Sequence, residues 1–370
     1  MSKISNNPGI LSDIEIQNLV DNEIINSSSK IKNEQVQPAS LDLSLGNKAW
    51  RVKSSFLPGT KNKVTDKISR LAMHEIDLTK GAVLEKGCVY IAEISEFLNL
   101  EDDISASANP KSSTGRLDIF TRLIVDYANE FENVKHGYNG PLYIEISPRT
   151  FSILVSSGAR LNQIRFRRGN YLLDDKETKA LHNKVSLVSG YENSLDIRNG
   201  IPLSIDLSGG QDGLIGYRAR KHTDLIDLEN INYYKKEPFW EKVTSNDLTS
   251  EGLVLNPDEF YILASREFIK IPETHAAEMI AYDTKVGEFR AHYAGFFDPG
   301  FGLIKNGINQ TRAVLEVRSH DVPFLIEEGQ TVCRLVYEKM SNPPKQVYGG
   351  KGILSNYQSQ GLKLSKHFVN

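Results

Sequence analysis

Short apolar stretches with alternating polar positions run along most of the chain, and turn residues separate them about every ten positions, a spacing typical of all-β domains. Near the start, Ser12–Val20 has the spacing of a short amphipathic helix, with Ser12 as its N-cap and Glu15 in the first turn. The segment Gln37–Val52 then alternates and breaks at Gly46, which predicts a strand followed by a turn. Further apolar stretches follow in GAVLEKGCVYIAEI, SASANP, LYIEIS and SILVSSGARLNQIRF. The pattern predicts a mainly β fold, a sandwich or barrel with short peripheral helices.

The second half of the chain repeats the first. The segment Leu142–Phe166 matches Ala313–Tyr337 without a gap, so that Glu145 aligns with Glu316 at a separation of 171 positions (316 − 145). Upstream, the heptapeptide SLDLSLG corresponds to SIDLSGG in the second half. Because self-similarity at a constant separation is the mark of a repeated structural unit, we predict a tandem duplication of one β-domain.

The stretch at residues 170–200 is polar and charged, and we place the join between the two domains there. We expect one domain at residues 1–180 and the other at residues 181–370. A chain of 370 residues is long enough for two domains with ordinary cores. The stretch Tyr217–Leu228 is too charged to be plain core, and its role, an interface or a second ligand loop, stays open.

Composition narrows the classes of function. The formal net charge is −3 and the pI about 6.3, so no protein-wide basic field attracts nucleic acid, and no nucleic-acid partner is expected. The two cysteines, Cys88 and Cys333, form no CxxC pair for zinc and lie among apolar neighbours, as buried thiols do. The N-terminus lacks the apolar run of a signal peptide, and no apolar stretch of about 18 residues follows. We therefore expect a soluble, cytoplasmic protein that does not bind a membrane.

The segment Pro110–Phe120 concentrates groups that bind phosphate. Inside it stand a lysine, three hydroxyl residues, a glycine and an arginine: Lys111, Ser112, Ser113, Thr114, Gly115 and Arg116. Hydroxyls and backbone N–H groups in a tight turn can surround phosphate oxygens while the cations neutralise them. A solvated surface loop is the alternative. The counterpart in the second half, AYDTKVGEFRA, lacks the serines and the matching arginine.

The second half carries a different candidate motif, AGFFDPGFG, in which Asp298 lies between aromatic residues and glycines. Asp298 is suited to accept a hydrogen bond from a ligand hydroxyl, and the glycines let the backbone approach a flat polar ring. The alternative is a plain β-turn with a surface aspartate. The first half has Lys135 at the aligned position, so each half lacks a part that the other half carries.

Glu316 is the second candidate in this half, within the apolar strand sequence TRAVLEVRSH. If the side chain is screened from water, its pKa rises and the carboxyl group becomes suited to move protons. The alternative places the carboxylate on the exposed face of the strand, paired with Arg312 or Arg318.

The order of these motifs resembles one enzyme family. Segments similar to QPASLDLSLG, PKSSTGRLDIF, FDPGFG, VLEV and YQSQG occur in this order in the dCTP deaminases, which belong to the dUTPase-like trimeric family. The chain is similar to the two-domain bacterial version from Gly9 to about Phe368. The resemblance implies a distorted, jelly-roll-like β-barrel of the dUTPase type in each half. It also implies a homotrimer with nucleotide sites at domain interfaces.

The resemblance also implies roles for individual residues. Glu316 matches the catalytic glutamate, and Glu145 is its relic or its double. Arg116 and Ser112 match the positions that place the catalytic water. Asp298 matches the acid that binds the deoxyribose 3′-hydroxyl. The implied substrate-binding set is Lys111, Ser113, Thr114, Gly115, Asp298, Tyr348, Lys351, Tyr357 and Gln360, the last four near or within a C-terminal tail that closes over the nucleotide.

The implied reaction is hydrolysis of a cyclic amidine C–N bond: dCTP and water give dUTP and ammonia, which supplies dUTP for dTMP synthesis. The chain lacks the HxE and PCxxC signature of zinc deaminases, so catalysis without zinc is expected, with Mg²⁺ held mainly by the triphosphate. Whether dTTP inhibits the enzyme stays open. Three composite sites per trimer are expected, and it stays open whether each site forms within one chain or between two chains.

Two other functions stay open. The enzyme could be a dUTP diphosphatase or carry out both steps, and Asp42 and Asp206 are then the motif-placed acids for activating water at the α-phosphate. The non-enzymatic alternative is a nucleotide-sensing or structural β-protein that has lost catalysis. Such a protein would bind nucleotide without turnover.

Overall fold

The computed structural model describes residues 7–190, 195–210, 213–281, 289–292, 295–303, 311–319, 321–350, 357 and 361–369. In these residues the fold is mainly β, as predicted. The chain divides into two compact units: unit 1 is Met1–Tyr171 with Asp224–Ile231 and Met340–Gln346, and unit 2 is Leu172–Thr223 with Asn232–Lys339 and Val347–Asn370. The units thus follow the two repeats, except that two short pieces of later sequence belong to unit 1.

Most elements are short strands. The strands are β1 (Gly9–Ile10), β2 (Ile25–Ser27), β3 (Val36–Gln37), β4 (Ser40–Leu43), β5 (Leu45–Val52), β6 (Ala72–Asp77), β7 (Ala82–Leu84), β8 (Val89–Asn99), β9 (Ile104–Pro110), β10 (Ile119–Val125), β11 (Asn133–Val134), β12 (Asn139–Pro148), β13 (Ile153–Val155), β14 (Asn162–Arg168), β15 (Val188–Ser189), β16 (Ile201–Ser204), β17 (Leu214–Ala219), β18 (Ile226–Asp227), β19 (Trp240–Thr244), β20 (Leu253–Leu255), β21 (Phe260–Ile269), β22 (His275–Ala281), β23 (Phe289–His292), β24 (Phe296–Phe297), β25 (Arg312–Ser319), β26 (Phe324–Ile326) and β27 (Thr331–Lys339). The α-helices are α1 (Asp13–Asp21), α2 (Val64–Leu71), α3 (Ser112–Gly115) and α4 (Asp175–Val185), and 3-10 turns occupy Asn33–Gln35, Leu78–Lys80 and Ser245–Asp247.

Unit 1 is built from mainly antiparallel sheets, with β18 the one strand of these three sheets that pairs in parallel, with β13. One has the order β11-β9-β14-β4-β3 with β1 on β14, and the other has the order β10-β12-β8-β5-β6 with β2 on β8. A third, small sheet has the order β18-β13-β7. Its strand β18 comes from the charged stretch Tyr217–Leu228, and Ile226 N donates to Ser152 O at 3.1 Å. Part of that stretch is therefore a strand of unit 1, which answers one part of the open question about its role.

Unit 2 repeats this plan. One sheet has the order β19-β17-β21-β25-β23 with β15 on β21, and a second has the order β16-β27-β22-β24. The strand pair β20-β26 completes the described part. Apolar residues from both larger sheets, such as Leu315 and Leu335, form one core cluster and are fully buried. The alternation of apolar positions that predicted strands is what fills this core.

The duplication predicted from the sequence is present in the strand register. In unit 1, Glu145 of β12 lies opposite Ile91 of β8, and in unit 2, Glu316 of β25 lies opposite Ile262 of β21. Both members of the second pair are 171 positions after those of the first (316 − 145 and 262 − 91). Strands β8 and β12 of unit 1 therefore correspond to β21 and β25 of unit 2.

The predicted alignment of SLDLSLG with SIDLSGG is wrong by four positions. Gly158 N donates to Leu45 O at 2.8 Å, and Gly329 N donates to Ile205 O at 3.1 Å, so Leu45 corresponds to Ile205. Consequently Ser44 corresponds to Ser204, and the aspartates of the two heptapeptides do not correspond. Asp206 matches Gly46 instead.

A buried glutamate explains where the first strand breaks. Glu96 accepts hydrogen bonds from Ser44 N and from Gln35 Nε2, both at 2.9 Å, and Glu267 accepts one from Ser204 N at 2.8 Å. Because the Ser44 N–H is used by a carboxylate, the ladder is interrupted at Ser44 and not at Gly46, which lies inside β5. The same interruption is repeated at Ser204, so it is a feature of the duplicated domain.

Glu145 of unit 1 is held in an ion pair. The Arg122 guanidinium lies opposite it on β10 and donates to Glu145 Oε1 from Nε at 3.1 Å and from Nη2 at 2.6 Å. Nη2 also donates to Ser55 Oγ at 2.8 Å, and the guanidinium carbon lies 3.5 Å from the centroid of the Phe131 ring. The carboxylate is 2% exposed and the arginine side chain 25% exposed. Glu145 and Arg122 therefore form a structural ion pair inside the first repeat.

We predict that Arg122→Met destabilises the protein by about 3–5 kcal/mol, because it leaves the buried Glu145 carboxylate without its cation. The double variant Arg122→Met/Glu145→Leu should regain most of this loss, since no buried charge remains. The measurement is urea unfolding followed by circular dichroism.

The matched control for this prediction is Lys48→Met on the same sheet. Lys48 Nζ lies 3.0 Å from Glu75 Oε1, but both side chains are half exposed, so its loss should cost no more than about 1 kcal/mol. An Arg122→Met cost equal to that of Lys48→Met would contradict a structural role for the Arg122–Glu145 pair.

Candidate functional site

The predicted phosphate-binding segment of unit 1 forms one helical turn, α3, directly after β9. Thr114 N and Gly115 N both donate to Lys111 O, at 2.8 and 3.0 Å, and Arg116 N donates to Ser112 O at 3.1 Å. The turn is therefore tight, as the sequence predicts, and it is largely buried: Arg116 is only 3% exposed. A solvated surface loop does not fit this burial.

Lys111 is paired within unit 1. Its Nζ forms an ion pair with Asp42 Oδ2, and Arg160 Nη1 lies 3.7 Å from the same oxygen. The Asp42 side chain is 3% exposed, and its other oxygen, Oδ1, has no hydrogen-bond partner among the described residues. A buried carboxylate oxygen without a donor is unusual in a folded protein. The structure thus brings a carboxylate and two cations together at the start of the turn.

The hydroxyl groups of the turn differ in their surroundings. Thr114 Oγ1 donates to Leu161 O at 2.8 Å, so this hydroxyl group stabilises the position of the turn. Ser113 is buried, whereas Lys111 and Ser112 are half-buried. Lys111 and Ser112 are therefore the parts of the turn that solvent reaches most easily, and Gly115 lies buried between Thr114 and Arg116.

The polar interior behind the turn was not predicted. Arg165 on β14 is fully buried, and Asn162 on the same strand is 1% exposed. Asn162 Oδ1 accepts a hydrogen bond from Thr121 Oγ1 at 2.6 Å, while its Nδ2 has no partner among the described residues. In sequence, the signal is the polar pair Asn162–Gln163 at the start of a strand in which Ile164 and Phe166 are the apolar positions.

The second candidate turn lies in unit 2 and begins at Asp298, directly after β24. Phe301 N donates to Asp298 O at 3.1 Å, and Tyr348 N donates to Pro299 O at 2.8 Å. The rings of Phe301 and Tyr348 lie 5.5 Å apart. The structure therefore brings Tyr348 onto the Asp298 turn, and Asp298 itself is half-buried.

The glycines of this turn allow close backbone contacts. Gly300 has φ +96° and Gly302 has φ +71°, both in the left-handed region. A Cβ atom on Gly302 would lie 2.0 Å from Ile269 O, and one on Gly300 would lie 3.0 Å from Tyr348 N. No other residue type fits either position, so the glycines are needed for packing the turn as well as for its conformation.

Glu316 is buried on β25 of unit 2, with 2% exposure. The alternative of a carboxylate on the exposed face of the strand is therefore wrong. Arg312 pairs with Asp206, and Arg318 Nη1 lies 3.9 Å from Asp258 Oδ1. The residues flanking Glu316 left both a screened and an exposed carboxylate open, and the structure has the screened one.

Asp206 has its own partners in unit 2. Burial raises its pKa, but hydrogen bonds from Ser208 and the Arg312 guanidinium more than offset this, so the pKa of Asp206 lies below its ordinary value. Ser208 Oγ donates to Asp206 Oδ1 at 2.5 Å. Asp206 is therefore a well-satisfied carboxylate, unlike Asp42.

Of the predicted closing tail, residues 351–361, the structure describes Tyr357 and Gly361, and Tyr357 is the predicted ligand contact among them. It is 7% exposed, and its Oη accepts a hydrogen bond from Lys366 N at 3.2 Å. Lys351 and Gln360 lie outside the described residues. Further along, the ring of Phe368 packs against Tyr234, Phe239 and Trp240, with centroids 5.5 to 6.3 Å apart.

Two general features bear on the chemistry. Within the described ranges, no group of three or more His, Cys, Asp or Glu side chains is placed to hold a metal ion. None of the described helices has the length and apolar character needed to cross a membrane.

Two domain-family models match the chain in sequence order. The N-terminal domain of 2′-deoxycytidine 5′-triphosphate deaminase (DCD) matches residues 7–170, and the C-terminal domain matches residues 174–368. The boundary between the matches falls within the predicted join.

The chain is also similar to a solved structure and to curated proteins that are named as deaminases of dCTP. The crystal structure of 2′-deoxycytidine 5′-triphosphate deaminase from Agrobacterium tumefaciens is similar, with 53% sequence identity, a TM-score of 0.85, and coverage of 90% of this chain and 99% of that chain. "dCTP deaminase, dUMP-forming" of Persephonella marina is 25% identical over 200 residues, 54% of this chain and 98% of its own length. The protein of the same name from Methanobrevibacter smithii is 28% identical over 163 residues, 43% of this chain and 76% of its own length.

The domain matches cover most of the chain, in the order that the motif resemblance predicted, and the solved relative matches along nearly its whole length. The chain therefore belongs to the 2′-deoxycytidine 5′-triphosphate deaminase family.

Proposed function

We propose that this protein hydrolyses dCTP to dUTP and ammonia, with Glu316 as the general acid and base and without zinc. Water adds to C4 of cytosine, the C4–N4 bond breaks, and ammonia leaves. The reaction is balanced by water alone and needs no redox cofactor. Membership of the deaminase family and the names of the similar proteins support the proposal.

The single observation on which the assignment of Glu316 depends is the different fate of the two repeated glutamates. Glu145 is neutralised by Arg122 through two hydrogen bonds to one carboxylate oxygen. Glu316 occupies the equivalent strand position, is 2% exposed, and lies in a strand whose arginines Arg312 and Arg318 contact other carboxylates. A carboxyl group that a strand screens from bulk water in this way is suited to take a proton from water and return it to the leaving amine.

The other residues have supporting roles in the proposal. Arg116 and Ser112 position the water and compensate charge near it. Lys111, Ser113, Thr114 and Gly115 hold the triphosphate, and Asp298 accepts a hydrogen bond from the 3′-hydroxyl. Tyr348, Lys351, Tyr357 and Gln360 contact the nucleotide from the C-terminal side.

Magnesium is proposed as the ion that accompanies the triphosphate. The phosphate oxygens supply most of its ligands, in keeping with the preference of Mg²⁺ for oxygen donors and retained waters. Asp42, which has one carboxylate oxygen without a partner among the described residues, is the carboxylate of this region that fits such a role. Mg²⁺ neutralises phosphate charge when it is bound, while Lys111 orients the phosphates.

The remaining parts of the proposal concern assembly and setting. We propose a homotrimer of two-domain chains, each domain a distorted jelly-roll of the dUTPase type, acting in the cytoplasm. Three sites per trimer follow from the split of the motifs, because the Ser/Arg turn is present in one repeat and Asp298 with Glu316 in the other. Inhibition by dTTP is part of the same proposal and is tested by adding dTTP to the assay.

We predict that Glu316→Gln abolishes ammonia release from dCTP while binding of dCTP is largely retained, because the amide keeps the shape of the side chain and loses the base. Ammonia is measured with Mg²⁺ present, with and without a zinc chelator, and binding is measured by calorimetry. Wild-type activity that disappears with the chelator would contradict a zinc-independent reaction.

The matched control is Glu145→Gln, which makes the same change at the same strand position of the other repeat. Its activity per folded molecule should stay close to wild type. Loss of activity in Glu145→Gln with full activity in Glu316→Gln would reverse the assignment of the two glutamates.

A second candidate function is a bifunctional enzyme that continues to dUMP and pyrophosphate. Two observations favour it: the curated relatives are named "dCTP deaminase, dUMP-forming", and Asp42 is a buried carboxylate with one unpartnered oxygen next to Lys111. In that second step Asp42 would take a proton from the water that attacks the α-phosphorus, and pyrophosphate would leave. Asp206 is the weaker candidate, because Arg312 and Ser208 already satisfy it.

Product analysis separates the two functions, and we predict its outcome for each. A deaminase alone converts dCTP to dUTP and ammonia, whereas a bifunctional enzyme yields ammonia, dUMP and pyrophosphate in equal amounts. If dUMP forms, Asp42→Asn should lower pyrophosphate release by about 100-fold or more and let dUTP accumulate, since the amide cannot accept the proton. Accumulation of dUTP by the wild-type enzyme would exclude the second candidate.

A further inference from the structure

Asp118 ends the turn that carries Arg116, and its backbone is in an unusual conformation. Its φ is +54°, in the left-handed region that glycine adopts most easily, and the residue is fully buried. Aspartate tolerates this region better than most residues, but burying its carboxylate needs a hydrogen-bond partner. A glycine would meet the backbone requirement without that need, so the side chain itself calls for an explanation.

Three hydrogen bonds tie Asp118 to two parts of unit 1. Its N–H donates to Gly115 O at 2.8 Å, inside the turn. Its carbonyl accepts from Arg149 N at 2.9 Å, and its Oδ2 accepts from Thr150 Oγ1 at 2.5 Å. Arg149 and Thr150 directly follow β12. Asp118 therefore connects the turn to the loop at the end of a central strand.

The position of Arg116 depends on this connection. Only Leu117, which is fully buried, separates Arg116 from Asp118, and Arg116 is itself 3% exposed. The backbone before the turn is fixed by Lys111 N, which donates to Leu161 O at 2.9 Å. With the turn held at Lys111 by Leu161, directly before β14, and at Asp118 by the loop after β12, its middle has little freedom to shift.

We propose that Asp118, through its hydrogen bond from Thr150, is a positioning residue that fixes Arg116 and Ser112 for the reaction. This inference rests on the proposed deamination, in which those two side chains place the attacking water. A misplacement of about 1 Å in such a group is enough to lower a rate by about 100-fold. Asp118 touches neither substrate nor water in this role.

The test is Asp118→Gly together with Thr150→Val. Glycine keeps the left-handed backbone and removes the carboxylate, while valine keeps the shape of threonine and removes the donor. Each variant should lower kcat for dCTP by about 10- to 100-fold, measured at a temperature at which circular dichroism shows the variant fully folded. The double variant should be no worse than the poorer single variant, because both changes break the same hydrogen bond.

Two further variants complete the test. Asp118→Asn keeps an acceptor for Thr150 and tolerates the left-handed conformation, so it should restore most of kcat. Glu23→Gly is the matched control, since Glu23 has φ +58° and is exposed, and it should behave like wild type. Full kcat in folded Asp118→Gly, or an Asp118→Asn variant as poor as the glycine variant, would overturn the proposal.

Amide hydrogen exchange of residues 110–120 gives a readout that does not need activity. Exchange in this segment should become faster in Asp118→Gly and Thr150→Val and stay at the wild-type rate in Asp118→Asn and Glu23→Gly. If wild-type protein releases no ammonia, the proposed function fails, and the exchange rates still decide whether Asp118 holds the turn. Unchanged exchange in both bond-breaking variants would overturn the positioning role.

Discussion

A carboxylate inside a β-domain must be met by hydrogen-bond donors, and this constraint shapes both repeats. Glu96 and Glu267 are met by the N–H groups of Ser44 and Ser204, which interrupts a strand at the same point in each unit. Glu145 is met by Arg122. Each of these buried acids is therefore tied to a particular donor, and these contacts help to shape the domain.

The two repeats have diverged by exchanging donors around a common framework. Strands β8 and β12 keep the register of β21 and β25, so the glutamates at their centres stay equivalent. Around one of them an arginine from the neighbouring strand has been recruited, together with Ser55 and Phe131. Around the other, the arginines of its own strand contact different acids. A duplicated fold can thus keep its strand register while the side chains around equivalent glutamates change.

Much of the fold and part of the site follow from local sequence. Alternating apolar positions predict β12 and β14, whereas the residues flanking Glu316 leave open whether its carboxylate is screened from water. What local sequence does not show is set by partners far along the chain. The strand break at Ser44 depends on Glu96, and the pairing of Lys111 depends on Asp42. Such contacts appear only when the strands are assembled, because sheet neighbours are distant in sequence.

Unit 1 contains two short segments from later in the sequence, and they change the order in which the two repeats can fold. Asp224–Ile231 supplies strand β18, and Met340–Gln346 lies beside the N-terminal helix, where Lys345 N and Gln346 N donate to Asp13 at 2.8 and 3.0 Å. Domains generally fold one after another as the ribosome releases them, the N-terminal one first. Here the first repeat lacks part of its own structure until almost the whole chain has been synthesised. The two repeats therefore reach their final state together, and a ribosome that stalls in the second repeat releases a first repeat that is also incomplete.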